Sequence, residues 1–231
     1  MSDIKNQLSF ITVFKKFREP YLSVQNGALD SWRGLAVVAP NSEVDTKGAC
    51  LGRPNVHILD NVQTARDLGY GHQAPVIRDL LLKALPTINT PMVGFMGSDI
   101  ILPDNFQEQL DHILEKYGYN IFLTVLKQHG KSTGMFLTSK YWWRKIVRDL
   151  PEFILGRFYW RAWLERYVEK TMPGLYFDAT PILKIIHQEH DYSHIIIQEQ
   201  VNSYRRAASV VHNFEINKVE VLAPIWPKML L

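Results

Sequence analysis

Asp99 follows an apolar run, Pro91 to Met96, and stands between Gly97-Ser98 and Ile100-Ile101-Leu102. A carboxylate in that position is a hard oxygen ligand, suited to Mg²⁺ or Mn²⁺ that bridges diphosphate oxygens and neutralises charge on a departing nucleotide diphosphate. The plain alternative is an Asp that only caps the following turn. A second concentration of chemistry runs from Asp178-Ala179-Thr180 to His187-Gln188-Glu189-His190-Asp191-Tyr192-Ser193-His194. Three imidazoles and three acids in one polar window can supply a metal ligand, a donor to a diphosphate, or an acid/base group near neutral pH. The alternative is a solvated loop whose histidines satisfy one another. The third is Gly156-Arg157-Phe158-Tyr159-Trp160-Arg161-Ala162-Trp163. Aromatic faces stack on sugar rings and Arg forks onto phosphate or carboxylate, whereas Trp at helical spacing is more often core, and Arg161 has Glu165 four residues on as an ion-pair partner.

These residues need elements to hold them. Residues 9 to 14 are β-branched and aromatic and read as a first strand; Tyr21, Val24, Ala28 and Trp32 recur at helical spacing; Ala36 to Ala39 reads as a second strand stopped by Pro40. From Asn41 to His57 the turn formers dominate, which predicts a long loop. Pro75 suits a first helical turn, with Ile77, Leu80, Leu81 and Ala84 on one face until Pro86 closes the segment. Pro91 to Met96 reads as the central strand, ending at Asp99. Asp104, with Gln107 at the capping-box position, predicts the start of a helix whose apolar stripe is Phe106, Leu110, Ile113, Leu114 and Tyr117, and whose stop is Gly118. Residues 121–126 and 134–138 read as further strands, and 158–170 as a helix with Trp160, Trp163, Leu164 and Tyr167 on one face. Alternating strands and helices predict an α/β layer structure with a mainly parallel sheet, and in such sheets ligands lie outside the carboxyl ends of the strands, where Asp99 falls.

The 231 residues, 46% of them hydrophobic, suffice for one substantial core, so a single domain over 1–231 is expected. No apolar run approaches the roughly 20 residues of a membrane-spanning helix, so no transmembrane segment is expected. The polar start, Ser2 to Gln7, lacks the features of a secretory signal and predicts a cytoplasmic protein. Cys50, the only cysteine, excludes an intrachain disulfide and a thiolate zinc cluster. The charge is 26 − 23 = +3, with no basic tract longer than pairs such as Arg205-Arg206, which argues against nucleic acid as a partner. The aromatics at Trp142-Trp143 and Ile225-Trp226-Pro227 suit a core, a dimer or a membrane surface equally.

Taken in order, Ser31-Trp32, Gly97-Ser98-Asp99-Ile100-Ile101-Leu102, Gly156 to Trp163, Asp178-Ala179-Thr180 and His187 to His194 resemble the GT-A glycosyltransferases that use nucleotide-diphospho-sugars. The resemblance is to a branch with a helix-linked Ser-Trp, a strand ending Asn-Ala-Asp-Ile, a Gly-Arg-x-Gly-Trp-Asp-Asn-Trp segment and a late His-Gln-Asn-His-Asp-Tyr-Ser-His. It runs from the first strand to Tyr204, with Asn41 to Gln73 matching poorly, and the His-rich motif is its most specific part. It implies a GT-A-like (Rossmann-like) sheet flanked by helices, and hexosyl or pentosyl transfer from a nucleotide-diphospho-sugar, a UDP-sugar first, to a glycan or other hydroxyl acceptor. It also implies Mn²⁺ or Mg²⁺ held by Asp99 and His194, with His187 and His190 closing over the diphosphate. Phe14 and Lys15 would face the base and ribose, and Pro75 and Arg78 would border the nucleotide.

Two departures stand out. Gly97 replaces the family's Asn, leaving Asp99 as the only side-chain carboxylate of the metal motif. Arg161 replaces the Asp that would deprotonate an acceptor hydroxyl in an inverting displacement, and a guanidinium stays protonated and cannot be that base. Either Asp149, Glu152 or Glu165 takes over, or the mechanism is retaining, or transfer is lost. Two other functions compete with transfer: a non-catalytic sugar-nucleotide or glycan-binding domain with a degenerate site, and a metal-dependent phosphohydrolase. The His motif lacks the spaced Asp/His set that the latter's two metals need.

Overall fold

The computed structural model describes residues 6–43, 45–126, 133–156, 159–188, 212–213, 215 and 229–230. Ten strands and six helices are laid out along them. The first half holds β1 (Leu8–Ile11), α1 (Tyr21–Ser31), β2 (Ala36–Pro40), α2 (Thr46–Cys50), β3 (Val56–Leu59), α3 (Ile77–Thr87), β4 (Met92–Met96) and β5 (Ile100–Ile101). The second holds α4 (Phe106–Tyr117), β6 (Phe122–Leu126), β7 (Thr133–Ser139), α5 (Lys140–Asp149), α6 (Trp160–Thr171), β8 (Tyr176–Asp178), β9 (Ile186–His187) and β10 (Met229–Leu230).

Eight strands form one sheet in the order β10-β8-β6-β7-β4-β1-β2-β3, in which only β7 runs against its neighbours. The sheet is therefore mainly parallel, as expected. β1 and β4 at its centre are buried at every position, the mark of strands covered on both faces. Alternate residues serve opposite layers. Phe10, Met92, Leu123 and Met135 face α1 and α4 in one apolar layer, while Ile11, Val93, Phe95, Phe122 and Phe136 face α3, α5 and α6 in the other. Gly94 opposes Phe10 in register because a Cβ there would land on the Phe10 ring. β5 and β9 pair antiparallel in a separate ribbon, Ile100 opposite His187.

Several local expectations shift. The 41–57 segment is not a plain loop: it contains the one-turn α2 and runs into β3, which among the described residues is an edge strand paired only with β2 and half exposed, so its residues carry little apolar signal. α5 is capped by Ser139, whose Oγ accepts from Trp142 N (3.3 Å); Trp143 completes the core and donates from Nε1 to Val93 O (2.9 Å). Ile225-Trp226-Pro227 lies outside the described residues. Pro75 sits one bridge before α3, paired with Thr64, and Pro86 is tolerated inside the last turn of that helix. Helix α4 is capped at Asn105 without a side-chain bond, so the Asp104 capping box does not form; Gly118 ends it with φ +70° and its N–H on Leu114 O (2.8 Å). Among the described residues no helix is long and apolar enough to cross a membrane.

The Ser31-Trp32 pair at the end of α1 grips the segment that follows Asp99. Ser31 Oγ accepts from Leu102 N (3.1 Å), and the fully buried Trp32 donates from Nε1 to Ile100 O (3.0 Å). Trp32→Phe keeps an aromatic side chain but loses the pyrrole ring with its N–H and strands a buried carbonyl. It should lower the unfolding free energy by about 1–3 kcal/mol, read as a shift in the urea midpoint at unchanged slope; an unshifted midpoint would show that the indole bond carries no weight.

Candidate active site

Asp99 leaves the turn after β4 and opens β5. Its approach is fixed from below: the fully buried Thr12, just past β1, donates from Oγ1 to Met96 O (2.9 Å). The Asp99 carboxylate is 8% exposed as a residue and meets His187 Nε2 from Oδ2 at 3.2 Å. Strand β9 delivers that imidazole, and the next residue continues the grip, Gln188 N donating to Asp99 O (2.9 Å). Gly97 has a steric cause: a Cβ there would run into Asp99 Oδ1. The glycine that looked like a lost ligand is what lets the remaining carboxylate take this position.

Helix α6 brings a cation to the same place. Trp160 packs edge-on against Phe95 (5.5 Å between ring centres) and Phe136 (5.6 Å), which sets the start of the helix at the carboxyl end of β4. Arg161 follows, its guanidinium 5.4 Å from the centre of the Trp160 ring. Burial lowers the Arg161 pKa, while the negative charges of Asp99 and Glu165 oppose that shift. Glu165, one turn on and half-buried, also reaches Tyr176, whose phenol is pushed up first by burial and then by that carboxylate. Trp160 and Trp163 are 5% and 4% exposed, so both are core and neither is a stacking platform.

The remaining predicted residues have neighbours other than Asp99 and His187. Lys15 is held by its backbone, its N–H on Gln25 Oε1 (2.6 Å) and its carbonyl receiving Gln25 Nε2 (3.1 Å), with Nζ over the Tyr21 ring. Phe14 is buried against Phe17 in the core. Pro75 is buried, accepts from Leu155 N (2.9 Å), and leads into α3, where Arg78 is half-buried with Nε lacking a hydrogen-bond partner among the described residues. Asp149 is exposed and accepts from Tyr167 Oη (2.5 Å), six residues or about 9 Å along α6 from Arg161. Glu152 is exposed too, and its carbonyl accepts from His212 Nε2 (3.0 Å). Asp178 folds onto its own turn, Oδ1 accepting from Thr180 N (3.0 Å) and Oγ1 (2.5 Å), the plain structural outcome. His190 and His194 lie outside the described residues.

Sequence reasoning did not single out Gln25, and read Gln188 only as part of the histidine-rich window. Gln25 is 1% exposed and also accepts from Ser98 Oγ (3.2 Å); a polar residue beside the apolar stripe of α1 was the available signal.

No protein-family model and no curated protein matches the sequence. Solved structures do match. The mannosyltransferase PcManGT from Pyrobaculum calidifontis, in complex with GDP-Man and Mn²⁺, superposes with TM-score 0.57 at 13% identity over 94% of this chain and 66% of its own, so this chain spans just under two thirds of it. Glucosyl-3-phosphoglycerate synthase from Mycobacterium tuberculosis, with Mn²⁺, UDP and glucosyl-3-phosphoglycerate, gives 0.53 at 12% identity over 90% of this chain and 80% of its own. TarS of S. aureus gives 0.55 at 9% identity over 93% of this chain and 44% of its own.

Gly97→Ala should be an overpacking change costing about 1–3 kcal/mol in denaturant titration, and Gly97→Ala/Asp99→Ala should be no less stable than Asp99→Ala alone, because the new Cβ then meets no carboxylate. Additive costs would contradict the steric reading of Gly97. With its one reversed strand, its helices on both faces and its carboxylate at the end of the central strand, the chain has the fold of the GT-A glycosyltransferases.

Proposed function

We propose that this chain is a glycosyltransferase that uses a nucleotide-diphospho-sugar, with UDP-sugars the first donors to try, and transfers the sugar to the hydroxyl of a glycan or other acceptor. The observation that carries the reading is the Asp99–His187 pair, 3.2 Å apart and nearly dry, at the carboxyl end of the central strand in a GT-A fold. Ligands of open α/β sheets lie at that edge.

The donor set fits a divalent ion. One carboxylate oxygen and one imidazole nitrogen suit Mn²⁺, and Mg²⁺ accepts the carboxylate while keeping phosphate oxygens and water as its other ligands. Among the described residues no group of three or more His, Cys, Asp or Glu forms a metal site; Asp99 and His187 would hold the ion together with the donor's phosphate oxygens, with His194 a further candidate. Bound there, the ion supplies charge neutralisation for the leaving diphosphate.

The chain's own residues do the rest. Arg161 adds a fixed positive charge beside Asp99, facing the anionic leaving group, and Arg78 offers an Nε donor at the nucleotide side. Of the three candidate bases, Asp149 is engaged by Tyr167 and Glu152 is exposed, whereas Glu165 is half-buried one turn from Arg161. Glu165 therefore takes the proton of the acceptor hydroxyl as its oxygen bonds to the anomeric carbon and the bond from that carbon to the diphosphate breaks.

A second reading, a binding domain without turnover, is favoured by one observation, the cation at the position of the family's base. The experiment separates them: release of nucleoside diphosphate is followed with Mn²⁺ over a panel of sugar nucleotides and acceptors. Transfer should be measurable and should fall about 10²- to 10³-fold in Asp99→Ala, the cost of several kcal/mol of lost charge stabilisation. Undiminished turnover would remove Asp99 from the mechanism, and nucleotide binding with no transfer to any acceptor would favour the binding domain. Glu165→Gln should lower kcat about 10²- to 10⁴-fold while leaving the dissociation constant for UDP unchanged, and an unaltered kcat would place the base elsewhere.

A further inference from the structure

Helix α1 holds the segments on either side of Asp99 and the segment that carries His187. Gln25, in its middle, ties the Lys15 backbone to Ser98 Oγ through one buried carboxamide, and Ser31 and Trp32 at its end hold Leu102 and Ile100. Between them lies Gly27. Its φ is not in the left-handed region and a glycine weakens a helix interior relative to alanine, so neither conformation nor propensity asks for it. A Cβ on Gly27 would come within 2.9 Å of Gln188 Oε1, so the carboxamide would have to give way, and that carboxamide's Nε2 donates to Val24 O (2.7 Å) one turn earlier on the same helix. Gln188 also donates its backbone N–H to Asp99 O (2.9 Å), and its neighbour His187 lies on the Asp99 carboxylate.

We infer that Gly27 and Gln188 are positioning residues: the bare helix surface at Gly27 seats the Gln188 side chain, and that seat registers His187 against Asp99. The inference rests on the site being a nucleotide-diphosphate site. It assigns to α1, which contributes no group to the chemistry, the geometry of the pair that does. The carboxamide of Gln188 is pinned to the helix at one end and its backbone to the Asp99 carbonyl at the other, so a displaced side chain moves β9 relative to β5.

The test uses the full chain and the variants Gly27→Ala, Gln188→Ala and the two combined. Thermal midpoints, amide hydrogen exchange over residues 186–188, and calorimetric binding of UDP and of GDP, each with Mn²⁺, are measured on all four proteins. Gly27→Ala should melt at or above the wild-type temperature, since alanine strengthens the helix. It should nevertheless exchange about tenfold or more faster at 186–188 and bind the nucleotide with Mn²⁺ about tenfold or more weakly, the usual cost of losing an outer support of a metal ligand. A merely structural role would move stability and binding together. The combined variant should bind no more weakly than Gln188→Ala, because both changes remove one contact. Unchanged exchange, or faster exchange with wild-type affinity, overturns this inference and leaves the proposed function standing. Failure of the wild type itself to bind either nucleotide overturns the proposed function, and this inference with it.

Discussion

A carboxylate that is almost out of water must find partners, and the environment of Asp99 is organised around that requirement. Its oxygen meets the His187 ring at 3.2 Å, with the two side chains 11% and 9% exposed. The residue before its turn is a glycine so that the carboxylate can fold into place, and the strand after it pairs with the strand that carries the imidazole. This contact spans 88 positions of the chain. It joins the end of the central strand to the start of the histidine-rich motif, and the same low dielectric that penalises an unpaired charge strengthens every interaction made there.

The layering of the sheet determines which charges reach this point. Apolar residues alternate between two layers, so α1 and α4 close one face and α3, α5 and α6 the other. Each face sends one helix to the carboxyl edge of β4: α1 from one side with amides and hydroxyls, α6 from the other with Arg161. An acid at the Arg161 position would put two carboxylates close together, which raises the cost of ionising both. A guanidinium instead balances Asp99 and Glu165, and on our proposal the proton-accepting role moves one helical turn down to Glu165.

Much of the architecture was legible because it is written in long apolar patterns. The stripe Phe106, Leu110, Ile113, Leu114 is buried as its spacing predicts, and the run ending at Met96 is the fully covered central strand. Shorter or more mixed segments were opaque. Edge strand β3 has one neighbour and little to bury, and α5 couples two adjacent tryptophans of which only one, Trp143, enters the core. Asp99 and His187 were singled out from residue type and order and the fold brings them together, whereas Asp178 shares that chemistry and spends it on its own turn. Gln25 and Gly27 were not singled out, and Gln188 was read only within the histidine-rich window, for a different reason. A glycine and two amides announce no reaction, and the bond from Gln188 to Val24 joins residues 164 positions apart, so its meaning exists only in the folded chain.

The most direct measurement is a crystal of the full chain grown with UDP and Mn²⁺, with anomalous scattering recorded to locate the ion. The proposed function predicts one manganese peak within bonding distance of Asp99 and of the diphosphate, about 2.0–2.3 Å, beyond the carboxyl end of β4 and beside Arg161. Ordered nucleotide elsewhere on the molecule, or manganese bound with Asp99 turned away from it, would contradict it.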